Sequence, residues 1–179
     1  MRIISGKYKG RNLEGYNMIG TRPTMDRVKE SIIAMIQNKI KDSICLDLFA
    51  GSGSVGLELL SNGAKECYFV DNNKKVIDTI KLNINKLKIE EKYYLILNDF
   101  YKALKNFKEQ NIKFDIIFLD PPYQNNYIKK CIELILEYKI LNVDGIIICE
   151  YEFEKINCDL EVYKMRKYGS KNIVIYKNS

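Results

Sequence analysis

At 179 residues and 46% hydrophobic content, the chain is long enough for one domain with a substantial core. Its start, MRIISGKYKG, is charged at once and lacks an apolar h-region, and no run approaches the ~18 uninterrupted apolar residues of a membrane span, so a cytoplasmic protein with no membrane partner is expected. Five scattered cysteines (Cys45, Cys67, Cys131, Cys149, Cys158) without a C-x-x-C pair, and no histidine, argue against a zinc site, a redox pair or a Ser-His or Cys-His nucleophile. No metal is expected, and the chemistry falls to carboxylates, backbone or a cofactor.

Net charge is +6, and its distribution is uneven: of five arginines, Arg2, Arg11, Arg22 and Arg27 lie in the first 27 residues. Arg2, Lys7, Lys9 and Arg11 follow one another without an intervening acid, interleaved with Tyr8, Gly6 and Gly10. The segment RIISGKYKGRNLEG reads as a hairpin within residues 1–20. Its basic side chains suit either a solvated strand face or phosphate contact, for which the guanidinium fork is well shaped. TRPTMDRVKESIIAMIQNKI then predicts a helix over 21–41, with Thr24 as candidate N-cap and Val28, Ile32, Met35 and Ile36 on one face.

From residue 43 onward, strands and helices alternate through 179. Apolar runs at 44–49, 66–71, 93–98, 114–119 and 145–150 predict strands buried on both faces, separated by helices ending near Gly63, spanning Val76 to Leu87, and near 100–109 and 125–140. The final segment, LEVYKMRKYGSKNIVIYK, has a turn at Gly169 and Ser170 and no helix, predicting two antiparallel strands at the sheet edge. The expected fold is therefore α/β, an open and mostly parallel sheet that binds its ligand at the carboxyl ends of its strands.

The first strand-to-helix turn, DLFAGSGSVG, places Gly51, Gly53 and Gly56 in a G-x-G-x-x-G pattern. A dinucleotide or an adenosine cofactor fits that pattern, and a plain tight turn accounts for one or two of the glycines. Asp47 precedes them, Asp71 lies twenty positions beyond Gly51 where a ribose would sit, and Asp99 ends the third strand. Three acids at successive strand ends disfavour a pyrophosphate and suit a cation such as S-adenosylmethionine, with Asp71 accepting ribose hydroxyls and Asp99 the adenine amino group.

The fourth strand delivers Asp120, Pro121, Pro122 and Tyr123 to the same edge. Proline fixes φ and restricts its predecessor, so the Asp120 carboxylate and the Pro121 carbonyl form a stiff pair of acceptors, matched to the two hydrogens of an exocyclic amine. Tyr123 is placed to stack on an extruded base. The alternative, a plain strand terminator, weakens once the glycine turn stands at the same edge.

These residues resemble a known family, the bacterial 16S ribosomal RNA guanine-N2 methyltransferases called RsmD. The resemblance rests on RIISGKYKGRNL, TRPTMDRVKESI, LDLFAGSGSVGLE and DPPY, and it covers nearly the whole chain. It implies a Rossmann-like, seven-stranded methyltransferase sheet with an antiparallel strand, and transfer of a methyl group from S-adenosylmethionine to the exocyclic N2 of one guanine in 16S ribosomal RNA, leaving S-adenosylhomocysteine. By motif match, Asp47, Phe49, Gly51, Gly53, Asp71 and Asp99 line the cofactor site, and Asp120, Pro121, Pro122 and Tyr123 the target base. Asp71 stands where the family often has Glu. Arg2, Lys7, Lys9, Arg11 and Arg22 approach RNA, within a small ribosomal subunit particle, and a monomer is expected.

Overall fold

A computed structural model describes residues 1–15, 23–122, 127–151 and 158–179, with side chains from residue 26 onward in the first helix. The last residues of the expected hairpin, Arg22 and Tyr123 lie outside the described residues. In chain order the elements are α1 (Pro23–Ile40), β1 (Ile44–Asp47), α2 (Ser54–Ser61), β2 (Glu66–Asp71), α3 (Lys74–Leu87), β3 (Lys92–Leu97), α4 (Phe100–Glu109), β4 (Phe114–Leu119), α5 (Tyr127–Glu137), β5 (Leu141–Tyr151), β6 (Glu161–Tyr168) and β7 (Lys171–Lys177).

The strands form one seven-stranded sheet in the order β3-β2-β1-β4-β5-β7-β6. Strands β1 to β5 pair in parallel, β7 runs antiparallel to β5, and β6 antiparallel to β7. The chain winds outward from β1 to β3 and then returns to the far side of β1 as β4. The crevice between β1 and β4 is the reversal point where open α/β sheets take ligands.

Period-2 alternation divides the strand residues between two cores. Cys45, Phe69, Phe118, Ile148 and Ile173 pack under α1, α2 and α3, while Leu46, Ile117, Leu119 and Ile147 pack under α4 and α5. The helix stripes read from the sequence do the covering: Val28, Ile32, Met35 and Ile36 of α1 are buried, as are Val76, Ile80, Ile84 and Leu87 of α3. Cys45, Cys67, Cys131 and Cys149 are buried free thiols, and Cys158 is partly exposed.

Several boundaries differ from the sequence reading. Helix α1 starts at Pro23, so Thr24 lies inside its first turn. Proline suits that place because the amide hydrogen it lacks would have had no helical partner. Strand β1 stops at Asp47, two residues early, although Leu48 N–H still donates to Phe118 O at 3.2 Å. The hairpin is a short one, an isolated bridge between Arg2 and Asn12 with backbone bonds from Ile3 N–H to Arg11 O, Gly10 N–H to Ile3 O and Leu13 N–H to Met1 O, around a turn with Gly6 and Gly10 at positive φ.

Two directions matter for the site. Helix α1 runs against the parallel strands: Lys39 reaches the carbonyl of Asp144 near the start of β5, whereas Lys29 donates to Ser54 at the start of α2 and Ser31 bonds the hydroxyl of Tyr168 at the end of β6. Its N-terminal half therefore stands at the carboxyl edge. Two reversals, into β7 and out of it, make β6 parallel to β5 again, which brings the Gly169–Ser170 turn to that same edge.

Candidate active site at the carboxyl edge

The turn after β1 is built for close approach. Gly51 (φ +53°) and Gly53 (φ +75°) adopt the left-handed region, and Gly53 opens α2 with no side-chain cap hydrogen bond. A Cβ on Gly51 would meet open space, so backbone conformation alone requires glycine there. Gly56 has a different duty: a Cβ would sit 2.3 Å from Phe69 Cε1, so this glycine lets α2 lie on the sheet.

Asp47 is buried beneath this turn. Its Oδ2 accepts from Gly56 N at 3.1 Å, whereas Oδ1 is the one buried side-chain polar atom among the described residues without a hydrogen-bond partner. Burial pushes its carboxyl up to about 7; the Gly56 bond opposes that rise and nearby Asp71 adds to it. An oxygen in that condition gains most from an arriving cation.

Asp71 ends β2 and is already aimed. Its Oδ2 accepts from Gly51 N at 3.2 Å and its Oδ1 from Asn73 N at 2.9 Å, which fixes the carboxylate while lone pairs remain for hydroxyl donors. Asp99 is engaged differently. It caps α4 by accepting from Lys102 N at 2.9 Å and pairs with Lys102 Nζ at 3.3 Å, and the cap bond, foremost among the causes, holds its carboxyl below the usual range. It stands at the expected strand end with part of its acceptor capacity committed.

Asp120 follows β4 beside the glycine turn, since Asp47 pairs in register with Phe118 two residues before it. Pro121 is buried and Pro122 exposed. The Asp120 residue keeps some surface, yet its carboxyl lies deep enough that burial pushes it up to about 8; Glu150 raises it further, Lys171 opposes, and Asp47 adds a smaller rise. Leu119 pairs with Cys149, so the next step of the parallel register sets Asp120 alongside Glu150, whose carboxylate bonds the Lys171 ammonium.

Sequence reading missed this Glu150–Lys171 pair, because nothing local announces that β7 inserts beside β5. It also missed an aromatic cluster: Phe49, singled out for the cofactor, lies 5.6 Å from Phe100, which in turn lies 4.0 Å from Tyr101 and 5.3 Å from Tyr127. The available signal was the run NDFY, which puts two rings directly after Asp99.

The basic N-terminal residues separate into two groups. Lys7 pairs with Glu90 at 2.6 Å and Glu91 at 3.0 Å, and Arg11 donates to the Leu87 carbonyl while lying over the Tyr8 ring. These two fasten the hairpin to the end of α3. Arg2 and Lys9, together with Arg27, instead line an open cavity of about 690 Å³ whose acids are Asp26 and Glu30. Beneath it, Lys29 and Glu58 form a buried pair at 3.2 Å, and Glu58 also accepts from the Ile4 and Ser5 amides. No three His, Cys, Asp or Glu side chains gather as a metal site among the described residues.

The family described as "Conserved hypothetical protein 95" matches residues 1–177. The Bacillus subtilis candidate rRNA methyltransferase YlbH is 41% identical over 99% of this chain and 98% of its own. The Haemophilus influenzae ribosomal RNA small subunit methyltransferase D is 37% identical over 99% of this chain and 92% of its own. Among solved structures, the Escherichia coli candidate methyltransferase yhhF superposes with a TM-score of 0.86 at 25% identity, covering 100% of this chain and 98% of that one.

Proposed function

The chain belongs to the conserved hypothetical protein 95 family, the group its motifs resemble under the name RsmD, and from that premise we propose that it is an S-adenosylmethionine-dependent rRNA methyltransferase acting on the exocyclic N2 amine of a guanine in 16S ribosomal RNA. The observation that carries this reading is the pairing, across one crevice, of an open glycine turn with a buried Asp47 oxygen lacking a partner and the stiff Asp120-Pro121 acceptor set on the adjacent strand.

When bound, S-adenosylmethionine supplies an electrophilic methyl group on a sulfonium. The chain's residues fit such a cation: Asp47 offers the unmatched buried oxygen, Asp71 a fixed acceptor for ribose hydroxyls, Gly51 and Gly53 the room for close approach, and Phe49 an apolar wall. Asp99 retains acceptor capacity for the adenine amino group beyond its cap. Asp120 and the Pro121 carbonyl accept the two hydrogens of the target amine and favour the tetrahedral, positively charged nitrogen that develops as the methyl is transferred. Glu150 and Lys171 set the local field in which Asp120 does so. Positioning is the larger contribution, since alignment of donor and acceptor supplies ~7 to 11 kcal/mol in well-oriented systems.

We read the protein as a single methyltransferase domain over 1–179, a monomer acting in the cytoplasm on rRNA within a small-subunit particle. No helix among the described residues is long and apolar enough to cross a membrane. The test is a thermal shift followed by methyl-incorporation mapping on small-subunit rRNA. S-adenosylmethionine should raise the melting temperature and NAD should not, and the new methyl group should map to a guanine N2. Stabilisation by NAD alone would reject the proposal.

A further inference from the structure

Four of the five arginines belong to the N-terminal stretch; the fifth, Arg166, sits on the far edge strand β6. It is exposed, and among the described residues it has no ion-pair partner. Its neighbours on the strand define the face it occupies. Lys164 donates to the Met35 carbonyl of α1, and the Tyr168 hydroxyl bonds Ser31 of α1. Period-2 alternation puts Arg166 between them on that same side, while Lys167 and Met165 point to the other. In register, Arg166 pairs with Ile173, and Ile173 pairs with Glu150, so one row across three strands leads from the neighbour of Asp120 to this guanidinium.

Helix α1 extends the row toward the hairpin. Arg27 lies one turn before Ser31 and so on the same helix face, one turn farther out over the Gly169–Ser170 end of the sheet. Arg27 also lines the 690 Å³ cavity with Arg2 and Lys9. Among the described residues, the acids lining the cavity are Asp26, which stands 4.0 Å from Arg2, and Glu30, and the row toward Arg166 starts at Asp120 and Glu150, the latter paired with Lys171.

We infer that Arg166 is a second anchoring point for the RNA backbone: Arg2, Lys9, Arg27 and Arg166 form one track of phosphate contacts along the α1 side of the carboxyl edge, ending beyond the catalytic crevice on β6. This inference rests on the rRNA methyltransferase reading. Contacts on both flanks of Asp120 hold the strand across the site, so that the base extruded between them meets the acceptor pair. Phosphate contacts position a nucleic acid without reading its sequence. The polymer that matches such a track is single-stranded RNA passing over the crevice.

The experiment measures binding of the full chain to deproteinised small-subunit rRNA across a salt titration, with cofactor-induced thermal stabilisation as the control for folding. Arg166→Ala should weaken binding several-fold, uniformly across RNA sequences, and reduce the slope of log K against log salt by about 0.7 to 1. Arg166→Lys should restore the slope, and Lys167→Ala, on the opposite face, should keep it. A parental slope in Arg166→Ala, or an equal loss in Lys167→Ala, overturns the track while leaving the enzyme reading intact. A parent chain that binds this RNA without salt dependence likewise overturns the track, whereas the enzyme reading falls if S-adenosylmethionine fails to stabilise the chain in the control.

Discussion

Asp47 and Asp120 carry the pH behaviour of the site. Each is held above the ordinary carboxylate range chiefly by burial, Asp47 near 7 and Asp120 near 8. A cation binds the ionised carboxylate, so affinity for S-adenosylmethionine should rise between about pH 6 and 8 as Asp47 loses its proton, and calorimetry of Asp47→Asn should give a flatter and weaker profile. In the proposed reading, Asp120 acts on the other reactant. Asp120→Ala should leave cofactor-induced stabilisation largely intact while methyl incorporation falls on the order of 10² to 10³ or more. Equal loss of binding and turnover would place Asp120 in the cofactor pocket instead. Because Glu150 raises the Asp120 carboxyl and Lys171 opposes it, and because Asp120 accepts hydrogen bonds in its ionised form, Lys171→Met should move the acidic limb of the kcat/KM profile upward in pH.

At the scale of elements, the strands and helices of the α/β core were legible because each carries a clear period and the strand ends carry chemistry. β2, β4 and α4 fall where the apolar runs and stripes put them, and Asp47, Asp71 and Asp120 end their strands at one edge. What the sequence could not disclose was lateral: which strands become neighbours, and therefore that Glu150 and Lys171 flank Asp120. The hairpin shows the same limit. Its basic run reads alike as a solvated face or a phosphate surface along its whole length, yet Glu90 and Glu91, some eighty residues away, take Lys7, and the end of α3 takes Arg11. Asp99 was ambiguous for a local reason, because an acid just before a helix can cap it as well as meet a ligand. The hairpin's attachment can be probed directly. A Cβ at Gly6 would lie 1.9 Å from the Ser61 carbonyl oxygen, at φ +76°. Gly6→Ala should therefore lift the turn from α2, and limited proteolysis should cut near residues 5–11 much faster than in the parent.

The molecule as a whole trades stability for a charged-ligand site. Burial raises the folded-state pKa of both Asp47 and Asp120 above the unfolded carboxylate value of about 3.9. The folded form thus holds more protons than the unfolded one from about pH 4 upward. The resulting stability is fully present below the unfolded pKa and is lost as pH climbs through about 7 and 8. The melting temperature of the ligand-free protein should accordingly fall between pH 5 and pH 8.5. A double Asp47→Asn, Asp120→Asn variant should show a shallower decline in the same calorimetric series.

Glu58 links the two halves of the proposed activity through a single side chain. It is wholly enclosed, belongs to the helix that follows the glycine turn, and accepts from Ile4, Ser5 and Lys29. Leaving an enclosed hydrogen-bonding group without its donors costs about 1 to 3 kcal/mol, and more for a charged one. The first dozen residues are for that reason not a detachable recognition tag: a truncation meant to abolish substrate capture would leave the Lys29 pair in place but take the Ile4 and Ser5 donors from an enclosed carboxylate. Grafting them onto another scaffold would likewise transplant only half of a lock whose other half is the wall of the cofactor cleft.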